Sequence, residues 1–228
     1  MKYLNLGILL VFFTQLSAQT IESENNSSET LYQISFGETL PENVLKREFI
    51  DQTIWTITNS ADSILFESVD GNSLKNIKFN QPGNYFLSMR FDESIHKSHA
   101  DECFHPSIPK TIKLEVSPYK LVYLMEEISF SSLIKGGFDA AGTNLEVPVI
   151  FSSFDNKPLQ IKDLKVSTSG VNTEIKGVLM NNVTVLIPGS NKLVYSLSGK
   201  ASKESYIMFD FVDINQQTHT YYYPEKLN

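Results

Sequence analysis

The stretch FNQPGNYFLSMRF, residues 79–91, decides the fold class predicted for this chain. Within it, Pro82-Gly83-Asn84 is a turn signal, because proline presets one backbone angle while glycine and asparagine tolerate left-handed ones. After the turn, side chains alternate with a period of two, and one face is formed by Tyr85, Leu87, Met89 and Phe91. A period of two predicts a β-strand with one buried face.

Runs of the same kind continue in both directions along the chain. On the amino-terminal side the alternating pairs are Trp55 and Ile57, Ile64 and Phe66, and Ile77 and Phe79. On the carboxy-terminal side the clearest runs begin at Leu121, Leu145, Leu193, Ile207 and Thr218. Pro148 lies on the opposite face of one run and predicts an edge strand there, because proline lacks the N–H of a sheet ladder. No long amphipathic helix is present, so the fold class predicted is all-β.

The pattern stops and restarts at Ser117-Pro118. We therefore predict two domains, residues 31–117 and residues 118–228, each long enough to bury a core of its own. Short strands separated by turns at this spacing are typical of β-sandwiches, so the expected architecture is two sandwiches in tandem.

The first of these segments resembles the PKD-type immunoglobulin-like domains. The resemblance is carried by Ile54-Trp55-Thr56-Ile57 and by the turn and strand entry from Phe79 to Leu87. The family's acidic-glycine signature after the tryptophan is absent. The segment from Ile187 to Leu193 gives the second half a fainter similarity to immunoglobulin-like modules of exported bacterial proteins. These resemblances imply immunoglobulin-like sandwiches with an interaction or spacer role.

The amino terminus predicts export. Met1-Lys2 is followed by an apolar run from Leu4 to Phe13 and by small and polar residues up to Ala18. This order is that of a secretory signal peptide, and the run is too short to span a bilayer. We assign residues 1–18 to the signal peptide and residues 19–30, which are polar, to a flexible leader. The predicted location is the periplasm, the cell surface or the exterior.

Composition excludes several classes of partner. The chain carries a formal net charge of −7 without a basic cluster, which argues against nucleic acid, because phosphate binding requires Lys and Arg. No second long apolar run follows the signal peptide, so we expect no membrane span. Cys103 is the single cysteine, which excludes an intrachain disulfide.

One segment combines unusual length with reactive side chains. Residues 92–109, DESIHKSHADECFHPSIP, separate two predicted strands and are longer than most hairpin loops. They hold the only cysteine and most of the histidines, namely His96, His99, Cys103 and His105. Thiolate and imidazole are ligands that suit zinc or copper, so these residues form a candidate metal site. The alternatives are a solvated polar loop and a redox-active or partner-linked Cys103.

The function predicted first is a non-enzymatic exported binding or adhesion-type module of the bacterial cell envelope. Its partner is expected to be a protein or a glycan, recognised through residues 92–109 because loops at one end of a sandwich commonly serve recognition. The alternative is a zinc- or copper-binding protein that uses the same segment. His219 lies near Asp210 and Asp213 in sequence, but no nucleophile elbow is present to complete a hydrolase triad.

Overall fold

The computed structural model describes residues 30–42, 44, 47–91, 111–181 and 183–228. In this part of the chain the protein is all-β, as predicted. The predicted signal peptide and all but the last residue of the predicted leader lie outside it. None of the helices it contains has the length and apolar character needed to cross a bilayer.

The described residues of the N-terminal half form one sheet and short helical turns. The elements are β1 Thr30–Ser35, a 3-10 helix Arg47–Gln52, β2 Thr53–Asn59, β3 Ile64–Asp70, α1 Gly71–Leu74, β4 Gly83–Phe91 and β5 Thr111–Ser117. The strand order is β1-β5-β4-β2-β3. β1 runs parallel to β5, and the other neighbours are antiparallel.

One face of this sheet carries the core of the N-terminal half. Alternate residues of the central strands point into it, as the period-two pattern predicts, including Trp55, Ile57, Tyr85, Leu87, Ile112 and Leu114. The face is covered by the 3-10 helix, by α1 and by the segments around them, which contribute Ile50 and Leu74. The run predicted around Ile77 and Phe79 is not a strand. Phe79 forms only an isolated bridge with Glu38.

Strand β3 departs from the predicted burial. Ile64 and Phe66, expected on a buried face, are 58% and 46% exposed. The cause is the position of β3 at the sheet edge together with two register shifts against β2. One places Glu67 and Ser68 opposite Thr56, and Ser68 has a φ of +57°. Such bulges twist an edge strand away from its neighbour.

The C-terminal half contains the two longest described strands, each of ten residues, among several shorter ones. Its described elements are β6 Tyr119–Tyr123, a 3-10 helix Met125–Glu127, β7 Ser129–Phe130, β8 Asn144–Ser153, β9 Leu159–Lys162, β10 Lys165–Ser169, β11 Lys176–Leu179, β12 Val183–Leu186, β13 Gly189–Ser198, β14 Met208–Val212 and β15 Thr218–Tyr222.

The larger sheet of this half curves around a single core. Its order is β15-β14-β10-β11-β13-β8-β6, with β7 also on β8, while β9 and β12 pair separately. Because β11 is hydrogen-bonded to both β10 and β13, these strands form one near-closed sheet rather than two facing sheets. Gly177 of β11 packs closely against side chains of the two flanking strands. A Cβ there would lie 3.1 Å from Leu197 and 3.2 Å from Val166.

Pro148 lies in a central strand, so the predicted edge position is wrong. Its strand, β8, is flanked by β13 on one side and by β6 and β7 on the other. The Pro148 carbonyl accepts the N–H of Leu124, which lies in the break between β6 and β7. Since the N and O of one strand residue point to the same side, the missing N–H also faces this break, where no ladder hydrogen bond is lost.

Candidate binding site at the junction of the two halves

The residues predicted to bind metal lie outside the described part of the chain. His96, His99, Cys103 and His105 all belong to residues 92–110, so the zinc or copper site stays a prediction. In the described ranges, no group of three or more His, Cys, Asp or Glu side chains is arranged to hold a metal ion.

The residues that flank this segment have a defined position. Phe91 ends β4 and Thr111 begins β5, and these two strands pair in the middle of the N-terminal sheet. β5 then runs seven residues to Ser117, next to the C-terminal half. At a rise of about 3.4 Å per residue, the flanks lie roughly 20 Å from the junction. Residues 92–110 therefore connect strands at the end of the N-terminal half farthest from the C-terminal half.

Side chains from the turn between β14 and β15 join the two halves. Asn215, which is 2% exposed, donates from Nδ2 to Ser35 Oγ at 2.9 Å and to the Tyr119 carbonyl at 3.0 Å. Gln217 Nε2 donates to the Gln33 carbonyl at 3.2 Å. These bonds hold the turn against β1 of the N-terminal half.

Two further contacts cross the junction. Lys120 Nζ lies 3.1 Å from Glu38 Oε1, with both side chains about one-third exposed. The rings of Phe36 and Phe154 pack edge to face, with centroids 5.9 Å apart. Polar and aromatic contacts therefore restrict rotation about the short connection at Pro118.

Asp213 shapes the turn that makes these contacts. Its buried carboxylate accepts the N–H groups of Asn215 at 2.8 Å and Gln217 at 2.9 Å through Oδ1. Its Oδ2 lies 3.3 Å from His219 Nε2. Because N–H donors and an imidazole surround the carboxylate, its burial is compensated.

His219, Asp213 and Asp210, the residues considered for hydrolysis, take part in two separate sets of contacts. His219 meets Asp213 and packs on the Tyr123 ring, with centroids 5.1 Å apart. Asp210 instead accepts hydrogen bonds from Ser169 Oγ at 2.8 Å and Thr220 Oγ1 at 2.6 Å. The described side chains thus do not bring a serine, His219 and Asp210 together as a triad requires.

An open cleft of about 590 Å³ lies beside the same turn. It is bounded by β9 and the start of β10 on one side and by residues 212–216 on the other, with Tyr119 between them. Its apolar lining comes mainly from Leu159, Ile161, Leu164 and Ile214. A volume of this size is typical of ligand sites, which combine an apolar floor with a few polar groups.

The charged residues of the cleft are Lys162, Asp163, Lys165 and Asp213. Asp213 is buried and bonded as described above. Neither Lys162 nor Lys165 forms an ion pair with another residue that the structure describes. The lining thus holds two ammonium groups outside any ion pair of the described chain, beside the exposed carboxylate of Asp163 and the buried one of Asp213.

No protein family model and no curated protein sequence matches this chain.

Sequence reasoning missed this cleft. The run from Leu159 to Lys162 shows the alternation of a strand, but nothing in it indicates that the strand pairs only with β12. The turn Ile214 to Gln217 contacts residues 180 to 184 positions earlier, and no local signal in the sequence indicates that contact.

Proposed function

We propose that this protein is an exported, non-enzymatic binding module of the cell envelope that recognises a protein or glycan through residues 92–109. The observation that carries the proposal is the position of the flanking residues Phe91 and Thr111. They lie at the end of the N-terminal sheet remote from the C-terminal half. Binding residues are disproportionately found on loops that a rigid scaffold positions.

The proposal includes immunoglobulin-like topology for the N-terminal half. In its support, the order β1-β5-β4-β2-β3, with β1 parallel to β5, resembles one sheet of a variable-type sandwich. Trp55 is buried on β2, the strand that corresponds to the tryptophan strand of that fold. Tyr85, near the start of β4, donates from its hydroxyl to the Gln81 carbonyl at 2.7 Å, as in a tyrosine corner.

For the C-terminal half we propose a closed variant of the same topology. In its support, β6, β8 and β13 are antiparallel neighbours, and β10, β14 and β15 form a second antiparallel group. In an immunoglobulin-like sandwich these groups belong to different sheets. Here β11 connects them.

The junction contacts give the second half a role as a support. Asn215, Gln217 and Lys120 each bond across the junction. These contacts restrict rotation of the N-terminal half relative to the C-terminal half. A partner bound at the far end of the N-terminal half therefore meets a scaffold of restricted mobility. Preorganisation of this kind lowers the entropic cost of binding.

The test replaces residues 92–109 of the mature chain with a short Gly- and Ser-rich turn. A second variant keeps the same residues in scrambled order, which preserves charge and composition. Binding of labelled protein to the immobilised envelope fraction of the native host is measured for all three chains. Protease-treated and periodate-treated envelope then separate a protein partner from a glycan.

We expect saturable binding by the wild-type chain and its loss in both variants, with the unfolding midpoint of the C-terminal half unchanged. Binding that survives scrambling would contradict recognition through residues 92–109.

A further inference from the structure

Strand β9 has one unpaired edge. It pairs with β12 over Leu159 to Lys162, and with no other strand of the described chain. No other backbone–backbone hydrogen bond reaches these residues from the described backbone. The N–H and C=O groups that point away from β12 are thus available to a further strand.

The unpaired edge is next to the cleft at the junction. Leu159, Ile161 and Lys162 of β9 all line it, and the opposite wall is the turn between β14 and β15. Ile161 and Leu164 are 5% and 9% exposed and form an apolar floor. An extended chain laid along β9 would have backbone partners on one side and apolar side chains beneath it.

The charge around the cleft favours an acidic occupant. The exposed charges of the lining, Lys162, Asp163 and Lys165, sum to +1, whereas the whole chain carries −7. Lys162 and Lys165 line the cleft, and Asp163 between them is the one exposed carboxylate in its lining. The buried Asp213 is bonded to two N–H groups and faces His219.

We propose that an extended segment of a partner protein, rich in acidic and apolar residues, binds in this cleft as an added strand along β9. Main-chain hydrogen bonds supply affinity in such complexes, and pockets for alternate side chains supply specificity. In this cleft Leu159, Ile161, Leu164 and Ile214 receive apolar side chains, and Lys162 and Lys165 meet carboxylates. This site is built from other residues than 92–109 and goes beyond the function proposed above.

The two outer edges of the N-terminal sheet fit such a partner less well. The outer edge of β1 is contacted by the C-terminal half, since Gln217 bonds to the Gln33 carbonyl. The outer edge of β3 is bulged at Ser68 and carries Glu67 and Asp70, which repel an acidic chain. Bulges are a common protection of edge strands against added strands.

The experiment uses the mature chain and an eight-residue peptide that alternates glutamate and valine. Binding is measured by calorimetry at low and high salt, and amide hydrogen exchange is followed in Leu159–Lys162. A peptide with lysine in place of glutamate tests the charge. A glutamate–valine peptide with alternate N-methylated amides tests the backbone hydrogen bonds.

The protein variants are Lys162→Glu/Lys165→Glu and the matched control Lys135→Glu/Lys200→Glu, whose residues are exposed and lie outside the cleft. We expect the first to weaken binding of the glutamate peptide about tenfold or more, and the control to change it less than about twofold. We also expect slower exchange in β9 and no binding of the N-methylated peptide.

Three results would overturn the proposal. The first is equal or tighter binding of the lysine peptide. The second is binding without protection of the β9 amides. The third comes from a peptide of residues 19–30, the acidic leader of this chain. If it binds in the cleft more tightly than the alternating peptide, the occupant is the chain itself and not a partner.

Discussion

Asn215 Nδ2 donates a hydrogen bond to Ser35 Oγ at 2.9 Å, across 180 positions of sequence. Both side chains are 2% exposed. The same amide group also donates to the Tyr119 carbonyl, so one side chain connects β1, the start of β6 and the turn between β14 and β15. A buried amide of this kind stabilises one relative arrangement of the two halves, since any other leaves its donors unpaired.

We expect Asn215→Ala to lower the free energy of unfolding by about 1–3 kcal/mol, because Ser35 and the Tyr119 carbonyl lose a buried partner. Faster amide exchange in β1 is the direct measurement. Asn59→Ala is the control, because Asn59 caps an exposed turn within the N-terminal half. The idea fails if both variants accelerate exchange in β1 equally.

Tyr85→Phe removes the hydroxyl that bonds to the Gln81 carbonyl. A lost intramolecular hydrogen bond at a half-buried acceptor costs about 1 kcal/mol, so the urea midpoint of the N-terminal half should fall accordingly. Tyr222→Phe, at a side chain that is 70% exposed, should leave stability unchanged. An unaltered midpoint for Tyr85→Phe would show that the hydrogen bond from Tyr85 to the Gln81 carbonyl contributes nothing to stability.

Tyr123→Phe should behave in the opposite way. The Tyr123 hydroxyl is buried and has no hydrogen-bond partner among the described residues. Its removal should leave stability at neutral pH within about 0.5 kcal/mol of wild type or raise it. A loss above about 1 kcal/mol would reveal a partner for the hydroxyl.

The same substitution should reduce sensitivity to alkali. Burial, followed by the charges of Tyr195 and Asp213, raises the pKa of Tyr123 far above its usual value of 10.0. Above that usual value the unfolded chain releases a proton that the folded chain retains, so folding stability falls as pH rises. Urea unfolding should be measured at neutral pH and at about pH 11. Between the two, the free energy of unfolding should fall less for Tyr123→Phe than for wild type.

Gly199→Ala should be strongly destabilising. Gly199 has a φ of +98°, and a Cβ there would lie 2.2 Å from the Glu174 carbonyl oxygen. Backbone strain and overlap together should cost about 3 kcal/mol or more in thermal or urea unfolding. Gly189→Ala, with a φ of +110° and no atom within 4 Å of the added Cβ, measures the strain alone. An equal loss of stability in Gly199→Ala and Gly189→Ala would show that the overlap with the Glu174 carbonyl oxygen adds no cost.

The metal prediction concerns the segment outside the described residues and is tested by elemental analysis of untagged protein purified without chelator. A Cys103/His105 site predicts near-stoichiometric zinc or copper in the wild type and none in Cys103→Ser/His105→Ala. His219→Ala should retain the metal, since His219 belongs to the C-terminal half. A wild-type chain without metal would exclude the site. Loss of a bound ion should also lower the melting temperature.

The strands that sequence reasoning located best are those with one buried face. Leu145, Val147, Val149 and Phe151 alternate in the sequence and are all fully buried in β8. Sequence reasoning failed where the neighbouring strands in the sheet, rather than the local pattern, decide burial. Ile64 and Phe66 alternate equally well, yet β3 has no second neighbour and they stay exposed. Pro148 suggested an edge strand, yet it is tolerated in β8 because its missing N–H faces a break in the adjacent strand. The sequence around Pro148 does not reveal that break.

The sequence by itself determined the all-β fold class and the buried faces of the main strands, because these depend on local alternation and turn residues. The tertiary structure alone decided the parallel pairing of β1 with β5, the closure of the C-terminal sheet through β11, the Asn215 contact and the cleft along β9. These features join residues far apart in sequence, and hydrogen bonds between distant strands leave no periodic signal in either one.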